Sequence, residues 1–373
     1  MKSVLVDVNN LKNNIKIIKD IAEQSGRDDN GKKVKIIGVV KGNGMGLGLI
    51  EFSKFLLDKG IKTLAVATVE EAIILRKNGI DAEILMLSST ELENEIEQLI
   101  QNKITITIGT KNQIVIAEKI AEKLKIEEVK AHLKIDTGFG RYGFIYENKE
   151  EILESLKLCK KIKMEGAFTH FSKSTDEKWT NIQFERFINV IAYLKENKIN
   201  IGYLHCCNTH AFLLYKNMHL NAVRIGSGFL GRIIIENKYG LKKIGVLKTK
   251  IAEIKELPKG YNISYANTIK TKKNSKIGII PVGYADGFGL ERKIDAFSFS
   301  EKMKSCIYVI KKVLKTNYLQ VRINDKKYKV LGRVGMFHSS IDITDTEIKP
   351  GDEVYIDNLS PILISGNIRR EYQ

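Results

Sequence analysis

Proline is scarce in this 373-residue chain, with four in all, and tryptophan occurs once. No Pro-rich spacer or recognition stretch is therefore available, and no low-complexity linker divides the sequence. The four cysteines, Cys159, Cys206, Cys207 and Cys306, show no CxxC spacing. Neither a metal site nor a disulfide framework is expected from them, and reduced thiols suit a reducing compartment. No apolar run is long enough to cross a bilayer, and the opening MKSVLVDVNNLKNNI lacks the apolar core of a signal peptide. The expected address is cytoplasmic, with no membrane partner. Arginine is sparse beside lysine, and no stretch interleaves aromatics with arginine as single-strand platforms do. The net charge of +17 comes from lysines that alternate with glutamates, as in KNQIVIAEKIAEKLKIEEVK. That pattern indicates solvated helix faces and no nucleic-acid partner, while attraction of anionic small molecules stays open.

What is present is enough apolar material for a sizeable core, 43% of residues against 28% charged. The length suits a barrel of roughly 250 residues with a smaller second domain. Short β-rich runs at 34–40, 63–69, 83–89, 104–109, 129–136, 164–171, 200–207 and 222–225 alternate with helical patterns. Helical periodicity is clearest at 70–78, 113–124, 151–162 and 183–197, each long enough for a parallel crossover. Eight such units predict an α/β fold, an N-terminal (β/α)8 TIM-like barrel over residues 1–232. Beyond that point the texture turns to β-rich runs such as LKTKIAEIKEL and YLQVRINDKKYKVLGRVGM. A C-terminal all-β domain is predicted over 233–373, with one stretch, 300–313, that could be helical.

Functional residues of such a barrel belong just after its strands. Lys41 follows the first run in VVKGNGMGLG, where Gly42, Gly44, Gly46 and Gly48 let backbone pass beside a flat group. A lysine leaving a buried strand is partly desolvated, which lowers its pKa and suits it to attack an aldehyde. DTGFGRYG follows the fifth run, Thr169 and His170 the sixth, Asn208 and Thr209 the seventh, and Gly226-Ser227-Gly228 the eighth. The last two loops are where such barrels often bind phosphate through backbone N–H groups.

Ten segments in order, VDVNNLKNNI, VVKGNGMGLG, HLKIDTGFGRYGF, FTHFSKSTDE, HCCNTHAFLL, VRIGSGFLG, ISYANTI, IPVGYADGF, GRVGMFHSSIDIT and IRREY, resemble the alanine racemase family almost from end to end. The resemblance implies pyridoxal 5'-phosphate as cofactor and a small amino acid as substrate. It implies that Lys41 is the Schiff-base lysine and Tyr265 the opposing base, because racemisation takes the α-proton from one face and returns one on the other. Tyrosine is a poor base at its ordinary pKa near 10 and needs cationic neighbours; the family pattern assigns His170 and Arg224 to that chain. Arg224 would also face the cofactor's ring nitrogen, where a guanidinium keeps that nitrogen unprotonated. Asn208, Thr209, Gly226 and Ser227, with His205 nearby, fall toward the cofactor. Arg141 matches the residue that meets the substrate carboxylate, and Lys134 a lysine often carbamylated to orient it. Tyr284 matches an aromatic lining the substrate's way in. Met336 matches a residue whose backbone N–H reaches the carboxylate from a partner chain, so the resemblance implies a homodimer with shared active sites.

The sequence also departs from the family. Met45 stands where a phosphate-binding tyrosine is usual, no tyrosine occurs over 358–365 where a second is expected, and Gly335-Met336-Phe337 replaces Cys-Met-Asp. An insertion around 294–316 lengthens the second domain. Two missing hydroxyls would each weaken cofactor retention by roughly 0.5–1.5 kcal/mol, leaving Tyr355 or Tyr372 to compensate. The lost C-terminal tyrosine widens the pocket and keeps serine, or another small amino acid, as an alternative substrate. A non-catalytic cofactor-binding paralogue is the other alternative, and retention of Tyr265 speaks against it, since a simple binder needs no second base.

Overall fold

The structure, a computed structural model, describes residues 2–25, 33–290, 299–314 and 319–373. The strands in chain order are β1 (Ser3–Val6), β2 (Lys35–Val39), β3 (Thr63–Val66), β4 (Glu83–Met86), β5 (Ile106–Ile108), β6 (Val129–Asp136), β7 (Phe144–Ile145), β8 (Ile162–Phe168), β9 (Tyr203–His205) and β10 (Ala222–Ile225). All eight predicted barrel strands are there. Their order is β4-β3-β2-β10-β9-β8-β6-β5, every pair parallel, and a bridge between Leu85 and Thr105 joins the two ends into a ring. The observed strands are shorter than the apolar runs because the runs continue into the loops that carry polar residues. β3 and β10 are buried at every position, as strands sandwiched between a barrel core and covering helices must be. Ile37, Val39, Ala65, Leu85 and Ala222 fill the interior.

Helices lie between the strands, among them Val69–Lys77, Lys111–Lys123, Lys149–Leu156 and Glu177–Glu196. Thr68 caps the first by accepting the Glu71 N–H, and Thr110 with Gln113 forms a capping box on the second. Periodicity did not single out Glu93–Gln101, which buries Ile96, Leu99 and Ile100 on one face, or Thr209–Leu214, whose six residues are too few to carry a pattern.

The second sheet contains β11 (Val246–Lys250), β12 (Glu253–Leu257), β15 (Ser275–Ile280), β16 (Gln320–Ile323), β17 (Lys326–Leu331), β18 (Ser339–Asp342), β19 (Glu353–Ile356) and β20 (Arg369–Tyr372), with β13 (Asn262–Ile263) and β14 (Ile269–Lys270) forming a separate hairpin. Its order is β12-β15-β18-β17-β16-β19-β11-β1-β20. Of the insertion read at 294–316, Phe299–Leu314 is a helix, and the flanking positions lie outside the described residues.

The expected division at 232/233 is not where the compact units divide: one unit is Val8–Ile244, the other Met1–Asp7 with Gly245–Gln373. Pairing explains both differences. β1 runs antiparallel to β11 and parallel to β20, and its Val4 is wholly buried in the β-unit's core beside Leu247, Ile323 and Val354. Residues 233–244 return to the barrel unit because buried Asn14, on the helix Val8–Glu23, clamps them. Its Nδ2 donates to the Phe229 and Lys242 carbonyls at 2.9 and 2.7 Å, and its Oδ1 accepts the Lys242 N–H at 2.7 Å. Nothing in a lone asparagine on an amphipathic helix announces a tie more than 200 residues away.

Candidate active site

Lys41 leaves β2 into a left-handed turn: Gly42, Asn43, Gly44 and Met45 all have φ between 54° and 66°. Gly44 is required twice over, since at φ 63° a Cβ there would also press on the Leu49 backbone at 3.1 Å. Asn43 accepts this conformation because its polar groups are engaged. Its amide donates to the Glu71 carboxylate at 3.0 Å, and its Oδ1 accepts the Leu49 N–H at 3.0 Å. The Lys41 amine is held below its ordinary pKa by burial first, then by the charges of Arg141 and Arg224, with Glu71 opposing. That is the state an aldehyde-binding lysine needs.

Arg224, near the end of β10, is almost wholly buried. Its Nη1 donates to His205 Nδ1 at 2.7 Å and the His205 carbonyl at 3.1 Å. Its Nη2 donates to the Thr169 and Cys206 carbonyls at 2.8 and 3.0 Å and faces His170 Nδ1 at 3.3 Å. Burial lowers Arg224 to about 10, which leaves it cationic at neutral pH. His170 is pushed well down by burial and then by Arg224, and His205 likewise. Both histidines are therefore neutral acceptors for the guanidinium.

Two residues read as cofactor contacts have local duties. Asn208 caps the helix Thr209–Leu214, accepting the His210 and Ala211 N–H groups at 3.1 Å. Thr209 Oγ1 accepts the amides of both Gly226 and Gly228 at 3.3 Å and so fixes the turn that contains Ser227. A Cβ built on Gly226 would lie 3.4 Å from the Met45 sulfur, so the position of the absent tyrosine does border the glycine turn.

On β6 the polar residues alternate: His132 and Lys134 are buried, Asp136 half-buried, between Leu133 and Ile135. Period two puts all three on one face. Lys134 lies over the Phe168 ring at 4.6 Å, and burial, then Arg224, pushes its amine well below the usual range. An uncharged amine is the form that carbamylation requires. Asp136 organises the following loop by accepting the amides of Gly138, Phe139, Gly140 and Arg141 at 2.9, 2.7, 2.8 and 2.9 Å. Arg141 stacks over Phe139 at 4.2 Å. Burial raises the Asp136 pKa, but the four amides outweigh it and the net shift is downward.

A depressed carboxylate contributes stability above its unfolded pKa, near 3.9, and loses it as pH falls through the lower folded value. Asp136→Asn is accordingly expected to cost about 1–3 kcal/mol at neutral pH, a difference that persists at every pH where the barrel stays folded. Urea midpoints of the two proteins compared at pH 8, 7 and 6 check this, and equal midpoints refute it.

In the β-unit, Tyr265 is 69% exposed. Ser264, Ala266 and Asn267 around it all have positive φ, a strain that Ser264 helps to hold by donating to the Arg333 carbonyl at 2.5 Å. The Tyr284 and Ala285 amides donate to the Gly335 and Met336 carbonyls, both at 3.0 Å, and a Cβ on Gly335 would sit 3.5 Å from the Tyr265 ring. Tyr265, Tyr284 and Met336 thus share one exposed face, while Lys41, Lys134, Arg141, His170, Arg224 and the Gly226–Ser227 turn belong to the barrel unit. Of the two tyrosines expected to compensate for the missing one, Tyr355 donates its hydroxyl to Glu353. Tyr372 pairs with Val6 at the edge of the second sheet.

Two residues were missed. Glu71 reads as an ordinary helix acid. His132 could have been found from the alternation at 132, 134 and 136. All four thiols are free, and Cys206 and Cys207 both reach the Met218 carbonyl, at 3.0 and 3.2 Å.

The residues fit a phosphorylated aromatic aldehyde: a deprotonatable amine, a buried guanidinium, and a glycine turn at Gly226 that borders Met45. The family descriptions for the alanine racemase N-terminal and C-terminal domains match residues 6–233 and 244–361. The alanine racemase of Carboxydothermus hydrogenoformans is 33% identical over 365 residues, 95% of this chain and 90% of that one. Alanine racemase 2 of Oceanobacillus iheyensis is 36% identical over 86% of this chain and 76% of its own. Among solved structures, the alanine racemase of Clostridium difficile superposes with a TM-score of 0.85 at 29% identity, over 100% of this chain and 95% of that chain. The Bacillus anthracis enzyme with bound L-Ala-P gives 0.81 at 26%, over the same shares. With both domains matched in order and the barrel site built from the same segments, the chain belongs to the alanine racemase family.

Proposed function

We propose that this protein is a pyridoxal-phosphate-dependent alanine racemase that interconverts L- and D-alanine with two bases, Lys41 and Tyr265. The observation that carries the reading is Arg224, a buried cation that two neutral histidines and three carbonyls hold in place. When bound, the cofactor supplies a conjugated ring that stabilises negative charge at the substrate's α-carbon. Lys41 and the Gly226–Ser227 turn, with Thr209 and Asn208 behind it, would hold that group. Arg224 would sit against its ring nitrogen without giving up a proton, which limits how far charge is drawn into the ring and favours return of the proton to carbon.

Lys41 Nζ moves the proton on one face and Tyr265 Oη on the other. Arg141 offers a planar fork to the substrate carboxylate, oriented by Lys134, and the Met336 N–H is a second donor. Tyr284 lines the approach. The exposure of Tyr265, Tyr284 and Met336 on one face supports a two-fold homodimer in which this face completes the partner's site. The physiological role that follows is cytoplasmic supply of D-alanine.

Purified protein is expected to absorb near the visible–ultraviolet boundary and to racemise L-alanine ahead of L-serine in a chiral assay. A bound cofactor without racemisation of any small amino acid would leave the binding-only alternative. Met45→Tyr is expected to tighten cofactor binding by about 0.5–1.5 kcal/mol, roughly two- to tenfold. Titration of apo-protein measures it, and an unchanged affinity with intact fold counts against the Met45 assignment.

A further inference from the structure

The ring of His132 lies inside the barrel, wholly buried, one hydrogen bond beyond His205. Arginine can only donate, so the 2.7 Å contact makes His205 Nδ1 an acceptor. His205 is neutral, so its proton is on Nε2, which donates to His132 Nδ1 at 2.9 Å. His132 is neutral as well, so its own proton is on Nε2. That N–H is buried and has no acceptor among the described residues. Around it are the Tyr203 ring, nearly perpendicular to it with ring centroids 4.8 Å apart, and Gly166, where a Cβ would lie 3.1 Å from the nitrogen. The irregular register between Ala131 and His132 sets Gly166 opposite the ring and makes room for it. A buried polar group left unpaired calls for a reason.

We propose that His132 is a positioning residue: as the acceptor for His205 Nε2–H, it fixes the tautomer and ring orientation of His205 and through it the placement of the Arg224 guanidinium. His205 must accept at one nitrogen and donate at the other, and His132 is the group that lets it do both. The unpaired His132 N–H is the cost of ending the chain there. The consequence for racemisation rests on the function proposed above; the wiring itself does not.

The wiring is tested on apo-protein by 15N NMR of histidine ring nitrogens. The expected spectrum has an unprotonated His205 Nδ1, a protonated His205 Nε2 and a protonated His132 Nε2; a proton on His205 Nδ1 or His132 Nδ1 overturns the proposal. In holoenzyme, His132→Phe removes the acceptor while keeping a planar ring. It is expected to lower kcat about tenfold, equivalent to about 1.4 kcal/mol, with KM for alanine unchanged and thermal stability not reduced. His132→Asn places an acceptor oxygen where Nδ1 was, and it is expected to restore both kcat and the His205 tautomer. Equal kcat in the two variants, whether native or reduced, overturns the proposal. A parent protein that binds cofactor but does not racemise would defeat the functional reading and leave the NMR result standing.

Discussion

Neither Lys41→Ala nor Tyr265→Phe is expected to racemise alanine alone, yet mixing the two under conditions that exchange subunits is expected to regenerate activity. Each variant lacks the base for one face. Loss of a positioned base costs roughly 10²–10⁴ in rate, and Lys41→Ala also loses the amine that retains the cofactor, so its activity falls to background and its visible band disappears. Tyr265→Phe keeps that band, because the phenol takes no part in retention. In a two-fold dimer whose sites combine the barrel of one chain with the β-unit of the other, each heterodimer has one site with both bases and one with neither. The ceiling is about half the native site complement. Demonstrated heterodimers that bind cofactor but stay inactive would place both bases in one chain, or remove Tyr265 from the chemistry. The exposure of Tyr265 favours the shared arrangement, since a base left in water is poorly placed to act on a proton that must be kept from solvent.

The second large effect is on stability in acid. His132, His170 and His205 are buried and neutral, with His132 lowered to about 3 and the others well below the ordinary value. Their unfolded pKa is near 6.5. As pH falls below that value the unfolded chain binds protons that the folded chain refuses, so stability is fully present above about pH 6.5 and is lost progressively below it. Each histidine contributes up to about 1.4 kcal/mol per pH unit, and three together approach 4 kcal/mol per unit. Against a typical domain stability of 5–15 kcal/mol, the barrel is expected to unfold near pH 5, before its carboxylates titrate. Arg224→Leu modifies this in a defined way. It strands three carbonyls and costs on the order of 3–5 kcal/mol at neutral pH. It also removes a charge that depresses all three histidines, so the pH slope becomes shallower. Urea midpoints of apo-protein between pH 8 and pH 5 measure both effects; a parent protein whose midpoint is flat over that range rules out the neutral-histidine account.

Much of this molecule is written locally in the sequence. Parallel barrel strands are buried on both sides, so they appear as apolar runs, and their loops carry the polar residues: both facts are visible in the order of amino acids alone. Lys41 in its glycine-rich turn, DTGFGRYG after β6 and Gly226-Ser227-Gly228 after β10 were legible for that reason, and Tyr265 and Met336 came from motifs that resemble a known family. What the sequence could not supply depends on contacts between distant positions. Strand β1 belongs to the β-unit because it pairs with β11 and β20, and residues 233–244 belong to the barrel because Asn14 binds Lys242. The glutamate that ties down Asn43, the threonine that pins two glycine amides and the buried chain from Arg224 through His205 to His132 are likewise products of closure. Periodicity reports which side of a strand or helix is buried; only the closed ring decides which buried polar groups face each other, and in its low-polarity interior that pairing sets their charge.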